Sequence, residues 1–141
     1  LPISACLAPA EIMAAWTQYG EVVHTSTHVG APLGCRAAQA TLKAMRELNL
    51  IDRAARVGRI FMTRLEERLG ERALVRGAGL MIGIELANGP AAQSCAAELQ
   101  RRGFVVLTGG PDGEVLTLTP ALTIAQTKLD ELVDALDDVL A

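Results

Sequence analysis

The sequence predicts an α+β fold: a small sheet covered by helices on one side and preceded by a long helix. Three observations carry this. Two stretches, 32–49 and 51–69, repeat small or apolar residues at helical spacing. Beyond Gly70 the period shortens, and strand and helix candidates alternate to the C-terminus. Half of the 141 residues are hydrophobic but only 3% are aromatic, so one ordinary domain core has to be built from Leu, Val, Ile and Ala.

Residues 3–8 are a short apolar strand candidate, and Pro9 precedes a helical turn from Ala10 to Trp16. Residues 17–31 read as irregular, punctuated by Gly20 and Gly30. Pro32 suits a first helical position, where a missing N–H costs nothing. The helix it opens runs to about Asn49. Gly34, Ala37, Ala38, Ala40 and Ala44 make it a helix of small residues, expected to pack tightly against another backbone. In the next helix Ile51, Ala55, Gly58, Met62, Leu65 and Leu69 step by four and three and define the expected buried face. Arg53, Arg56, Arg64, Glu67 and Arg68 lie largely off that face, and Gly70 ends the helix. Strands are expected at 73–76 and 80–86 around Gly77-Ala78-Gly79, a helix at 91–102, and a strand at 104–107. The turn Gly109-Gly110-Pro111-Asp112-Gly113 leads to a strand from Val115 to Thr119 that Pro120 ends. Its alternation sets Leu116 and Leu118 on one face and Val115, Thr117 and Thr119 on the other. The last helix, 125–140, turns Leu129, Leu132, Val133, Leu136 and Leu140 inward. Its acids Asp130, Glu131, Asp134, Asp137 and Asp138 read as a solvated face.

Bulk chemistry removes several classes of function. A net charge of −3 with intermixed signs, and no basic tract, argues against a nucleic-acid partner. No uncharged apolar run approaches the roughly 18–20 residues a membrane helix needs, and the start shows no signal-peptide pattern. Cys6, Cys35 and Cys95 are scattered, without CxxC spacing, which speaks against zinc and against a disulfide framework. All three are expected to be small buried residues of a cytoplasmic protein. The spacing Gly77-x-Gly79-x-x-x-Gly83 leads into a strand and is not a dinucleotide fingerprint. The chain starts at Leu1, inside an apparent strand, which reads as a fragment or as a chain whose beginning is missing.

One segment concentrates hydrogen-bonding side chains: His24-Thr25-Ser26-Thr27-His28-Val29-Gly30-Ala31-Pro32-Leu33-Gly34-Cys35. It runs into a helix start. A phosphate dianion needs convergent N–H and O–H donors, and a helix N-terminus adds backbone donors and a favourable dipole. The residues alone also fit a loop with polar caps.

This segment resembles the His-Thr-Ser-Thr-x-x-Gly-x-Pro-Leu run of class III aminotransferases, pyridoxal-phosphate enzymes of fold type I such as those acting on acetylornithine, ornithine and 4-aminobutyrate. The resemblance extends along the chain. Leu1-Pro2-Ile3-Ser4-Ala5 is similar to the strand after the family's Schiff-base lysine, and Glu11-Ile12-Met13 to the helix after it. Val75-Arg76-Gly77-Ala78-Gly79-Leu80-Met81-Ile82-Gly83-Ile84-Glu85-Leu86 is similar to its Arg-Gly-x-Gly-Leu-Met-x-Gly-Ile-Glu run. Arg102-Gly103-Phe104-Val105-Val106 and Leu118-Thr119-Pro120-Ala121-Leu122-Thr123-Ile124 are similar to its last two strands and their exit.

The resemblance implies that residues 1–31 end a large-domain-like segment and carry a phosphate-clamp loop. It makes 32–49 the interdomain helix and 50–141 the C-terminal small domain. It implies pyridoxal 5'-phosphate as cofactor, an amino donor and a 2-oxo acid as substrates, and a homodimer. Thr27 would contact the cofactor phosphate of the partner subunit, with Ser26 beside it. The Schiff-base lysine would lie a few residues before Leu1, so the chain as given would be inactive alone. Lys43 and Lys128 read as solvated helix residues.

Departures from the family bear on the substrate. His28 replaces a common aromatic residue and either lines the partner's site or is a plain loop residue. Thr117 stands where many members place an Arg that holds the substrate carboxylate. Either the substrate lacks a carboxylate there, or an Arg elsewhere holds it. Arg76 reads as a conventional arginine beside a tight glycine turn, with a carboxylate anchor as the other reading. Two rival functions follow: a different reaction on the same fold, such as an epimerase or aminomutase, and a stand-alone non-catalytic binding or oligomerisation module.

Overall fold

The computed structural model describes residues 1–16, 18 and 27–141. They fall into two compact units, Leu1–Leu48 and Asn49–Ala141.

In the first unit, α1 (Ala10–Met13) starts where the Pro9 carbonyl accepts from the Ile12 and Met13 N–H groups, both at 3.0 Å, and a 3-10 turn extends it from Ala14 to Trp16. The expected strand at 3–8 does not form. A strand is held by ladder bonds to a neighbour, and an apolar run without one stays irregular. Residues 27–30 form a turn in which the Ala31 N–H donates to the His28 carbonyl at 3.1 Å, and Gly30 takes φ +66°. Helix α2 (Pro32–Glu47) follows, with Pro32 in its first turn. Among the described residues no residue of α2 is buried, and Leu33 and Leu42 are exposed. Ile3 touches it near Gly34.

The second unit opens on α3 (Leu50–Leu69). Asn49 precedes it in the left-handed conformation, with φ 46°, and its side-chain amide donates to the Asp52 carboxylate at 2.9 Å. The buried face of α3 is Leu50, Ala54, Val57, Gly58, Phe61, Leu65 and Leu69. This corrects the expected stripe: Ile51 is 68% exposed and Ala55 is exposed. The stripe is rotated by about one residue because Leu50, Val57 and Phe61 offer more apolar area than Ile51 and Ala55. A 3-10 turn, Gly70–Arg72, leads to the hairpin β1 (Leu74–Ala78) and β2 (Met81–Glu85). Helix α4 (Gly89–Arg101) is capped by Asn88, whose side chain accepts from the Ala91 N–H at 2.9 Å. Then come β3 (Leu107–Gly109), β4 (Val115–Leu118) and α5 (Gln126–Leu140).

The four strands are antiparallel in the order β1-β2-β4-β3. One face carries Ile82, Ile84, Leu116 and Leu118, and packs with Leu65, Leu99, Leu129 and Leu136 from α3, α4 and α5 into a single core. The expected strand at 104–107 is displaced to 107–109. Phe104 and Val106 instead tuck half-buried against the core, and the ladder with β4 begins only where Leu107 meets Thr117.

Helices α3 and α5 are also joined by charge. Arg64 reaches Asp130, Arg68 reaches Asp134 at 2.5 Å, and Arg72 reaches Asp137 at 2.5 Å. The acids of α5 are therefore ion-paired rather than simply solvated, and Asp130 and Asp137 are half-buried. Among the cysteines only Cys95 is in the core. Cys35 is half-buried and Cys6 exposed, against the expectation that all three are buried.

Candidate functional site

Two places carry the side chains singled out by sequence, one in each unit. In the first, Thr27 and His28 lie exposed in the turn that feeds α2. Ser26 and His24 lie outside the described residues. The turn is closed by backbone, from the Ala31 N–H to the His28 carbonyl, which leaves the side chains of Thr27 and His28 directed by neither cap nor core.

In the second unit the sheet presents an open face. Period-two alternation puts Leu74, Arg76 and Ala78 of β1 on it, with Met81, Gly83 and Glu85 of β2, Val115 and Thr117 of β4, and Leu107 and Gly109 of β3. Leu74, Met81 and Leu107 are 60%, 67% and 66% exposed. Thr117 sits half-buried in the middle. Its partners across the ladder are Gly83 and Leu107. A β-carbon on Gly109 would stand 3.1 Å from the Thr117 hydroxyl oxygen, so glycines on both neighbouring strands leave space beside that hydroxyl. Val115 shares this face by register yet is buried, and its Cγ1 stands 3.0 Å from where a β-carbon of Gly83 would be. Arg76 pairs with Glu85, Nη2 to Oε2 at 3.0 Å.

Thr117 also borders a cleft of about 660 Å³. Phe104, Val106, Leu129 and Leu132 wall it, and the Lys128–Glu131 pair, 2.7 Å apart, stands at its exposed rim. The segment from Thr119 to Ile124, which leaves β4, is tied down by Arg53. The guanidinium donates to the Leu122 carbonyl and, at 2.5 Å, to the Ile124 carbonyl. Sequence reading gave Arg53 no role beyond lying off the buried face, because its partners are about 70 residues away. It also missed Gly83 as the neighbour of Thr117, since only the long-range register places them together.

Shifted ionisation falls on other residues, all of them in the second unit. The hydrogen bond from Arg72, aided by the Arg68 charge, holds Asp137 below the usual carboxylate range. Asp134 and Asp137 raise Arg68, and burial raises the Cys95 thiol. Neither lysine that could be asked to carry a cofactor is desolvated. Lys43 pairs with Glu47 at 3.7 Å and is 70% exposed, and Lys128 is 62% exposed. Among the described residues neither lysine stands in the enclosed, apolar setting that favours covalent anchorage of a carbonyl cofactor, and Thr27 offers an exposed residue bearing a hydroxyl.

The second unit is an α+β fold in which one face of a four-stranded antiparallel sheet packs under three helices. The profile of the family described as aminotransferase class-III matches residues 1–140. The acetylornithine aminotransferase of Methanothermobacter thermautotrophicus is 38% identical over 144 residues, covering 99% of this chain and 35% of that protein. The leucine/methionine racemase of Thermococcus litoralis is 35% identical over 152 residues, covering 100% of this chain and 33% of the racemase. A solved aminotransferase of Bacillus anthracis superposes with a TM-score of 0.79 at 27% identity, over 93% of this chain and 33% of that one. The chain belongs to the class-III aminotransferase family, and it spans about a third of the length of the relatives it matches.

Proposed function

We propose that these residues form the C-terminal part of a pyridoxal-phosphate-dependent aminotransferase that moves an amino group between an amino donor and a 2-oxo acid. The observation that carries this reading is the continuous family match over residues 1–140, supported by relatives that are aminotransferases along nearly the whole chain. On this reading residues 1–31 close a large-domain-like segment, 32–49 are the interdomain helix, and 50–141 are the small domain. The protein works as a homodimer in the cytoplasm and has no nucleic-acid partner. Among the described residues no helix is long and apolar enough to cross a membrane.

Pyridoxal phosphate, when bound, supplies an electrophilic carbonyl and stores the amino group between the two half-reactions. The residues described here hold and surround. Thr27 donates its hydroxyl to the cofactor phosphate of the partner subunit, with Ser26 beside it. His28 and Thr117 line the substrate site. The lysine that anchors the cofactor comes from outside these 141 residues. A hydroxyl from an exposed turn suits a contact made in trans, and among the described residues the turn is closed by a backbone bond rather than by Thr27.

The test is amino transfer by the full-length protein, supplied with pyridoxal phosphate, acetylornithine or ornithine, and 2-oxoglutarate. Stoichiometric formation of glutamate supports the reading. The match to a racemase along the entire chain gives a second reading, a different reaction at the same kind of site. Loss of optical activity from leucine or methionine without any oxo acid favours it. A folded product without pyridoxal-phosphate absorbance would favour a non-catalytic module.

A further inference from the structure

We propose that Arg53 is a positioning residue: it lines no cleft itself, and its guanidinium fixes the wall that two clefts of the second unit share, which sets how tightly the substrate is held. That these clefts belong to a substrate site rests on the aminotransferase reading. The fixing of the wall rests on geometry.

The wall is the segment from Thr119 to Ile124, which leaves β4. Two clefts border it. One is the cleft of about 660 Å³ that Thr117 also borders. The other, of about 500 Å³, lies among the start of α3, the β1–β2 turn and this segment. Its lining is apolar apart from Thr119, and includes Ile51, Ala54, Leu80 and Met81. Thr119 and Pro120 line both clefts. Beyond them the segment divides, with Leu122 lining the second cleft and Ile124 the first. The carbonyls that Arg53 holds belong to those same two residues.

Little else gives the segment a fixed register. Pro120 has no N–H to donate. Among the described residues one backbone bond closes within the segment, from the Ile124 N–H to the Ala121 carbonyl at 2.9 Å. Leu122 and Ile124 pack half-buried against the core, which keeps the segment close to it. Apolar contact is non-directional, however, and does not fix where the segment lies along α3. A planar fork that meets two carbonyls does. Nη1 of Arg53 donates to the Leu122 carbonyl, and Nη2 donates to the Ile124 carbonyl at 2.5 Å. Without the fork two part-buried carbonyls lose their partners, and a shift of the segment toward water relieves that loss. Both clefts then change shape together, because Thr119 and Pro120 belong to both.

The experiment uses the full-length protein loaded with its cofactor. Thr119→Cys puts a thiol on the shared wall, and Met81→Cys puts one on a part of the second cleft that Arg53 does not hold. Alkylation of each new thiol by N-phenylmaleimide is followed by mass spectrometry, with and without Arg53→Met. The Thr119→Cys rate should rise about 3- to 10-fold, as for a local opening of modest cost, and the Met81→Cys rate should stay unchanged. In protein without added thiols, Arg53→Met should raise the KM for the amino donor about 3- to 10-fold and leave kcat nearly unchanged, the signature of binding lost equally from ground and transition states. Arg53→Lys, with one ammonium for two carbonyls, should fall between in both readouts, and it carries the test alone if Arg53→Met does not fold. An unchanged Thr119→Cys rate, an equal rise at both thiols, or an unchanged KM overturns the proposal. Absence of glutamate formation by the unmodified protein overturns the aminotransferase reading instead, and the alkylation rates still judge the wall.

Discussion

Gly58 of α3 lies against Gly79 of the β1–β2 turn so closely that a β-carbon on Gly58 would stand 1.9 Å from the Gly79 carbonyl oxygen. Helix and hairpin therefore meet backbone to backbone, and Gly79 reaches that contact only with φ +57°. Gly58→Ala improves helix propensity by about 1 kcal/mol. The clash is with backbone, which yields poorly, and overpacking of this kind costs about 1–3 kcal/mol or more. The net expectation is a less stable protein, seen as a lower urea midpoint with an unchanged slope. A midpoint at or above that of the parent would show that the hairpin moves away freely.

Arg53 spans from α3 to two carbonyls of the segment leaving β4. Arg53→Met keeps much of the stem packing and removes both donors. Leaving part-buried carbonyls unpaired costs about 1–3 kcal/mol. The expected signature is faster amide exchange at Leu122 to Ala125 with little change in β1 or β2. Arg53→Lys should recover only part of the protection, because one ammonium does not reproduce a fork that meets two carbonyls. Uniform loss of protection across the second unit would mean that Arg53 supports the core as a whole.

The pairs between α3 and α5 set the acid limb of stability. Asp137 titrates below its ordinary value because Arg72 hydrogen-bonds it and Arg68 adds charge. A depressed carboxylate stabilises the fold fully above its unfolded value, about 3.9, and loses that contribution as pH falls through the folded value. Stability should therefore drop below about pH 4, and Asp137→Asn should flatten that part of the curve. Because Asp137 and its arginines are only partly buried and keep contact with solvent, 1 M salt should flatten it as well. A wild-type acid limb identical to that of Asp137→Asn at low salt would remove the pair from the account.

Much of the fold was legible because it is periodic. Helices at 32–49, 51–69, 91–102 and 125–140 and the hairpin around Gly77-Ala78-Gly79 show in local pattern alone. What failed depended on partners that local pattern does not name. Residues 3–8 have the composition of a strand and no ladder. Phe104 to Val106 have it too, but β3 is defined by where Leu107 meets Thr117. The acids of α5 looked solvated because arginines 65 or 66 residues away are invisible to a helical wheel. The site was legible to the same extent. Alternation alone turned Thr117 away from Leu116 and Leu118, whereas its neighbour Gly83 needed the register.

Thr27 offers the sharpest test of the proposed cofactor contact. Thr27 is exposed in a turn closed by backbone, so Thr27→Ala removes a donor while keeping the bonds that close the turn among the described residues. One hydrogen bond to a charged phosphate is worth about 1.5–3 kcal/mol, which corresponds to about a 10- to 100-fold weaker hold on the cofactor. In full-length protein the loss should appear as faster release of pyridoxal phosphate on dilution, with an unchanged melting temperature of the cofactor-free form. Thr27→Ser keeps the donor and should retain most of the affinity. If the dimer is the working unit, the defect should depend on which chain carries the change. Two kinds of mixed dimer separate the cases: with Thr27→Ala on one chain and the cofactor-anchoring lysine lost from the other, the intact lysine faces an intact Thr27 and cofactor binding should survive, whereas with both changes on one chain paired with an unaltered chain, the intact lysine faces the altered Thr27 and binding should fail. Equal retention by both kinds of mixed dimer would place Thr27 outside the phosphate contact.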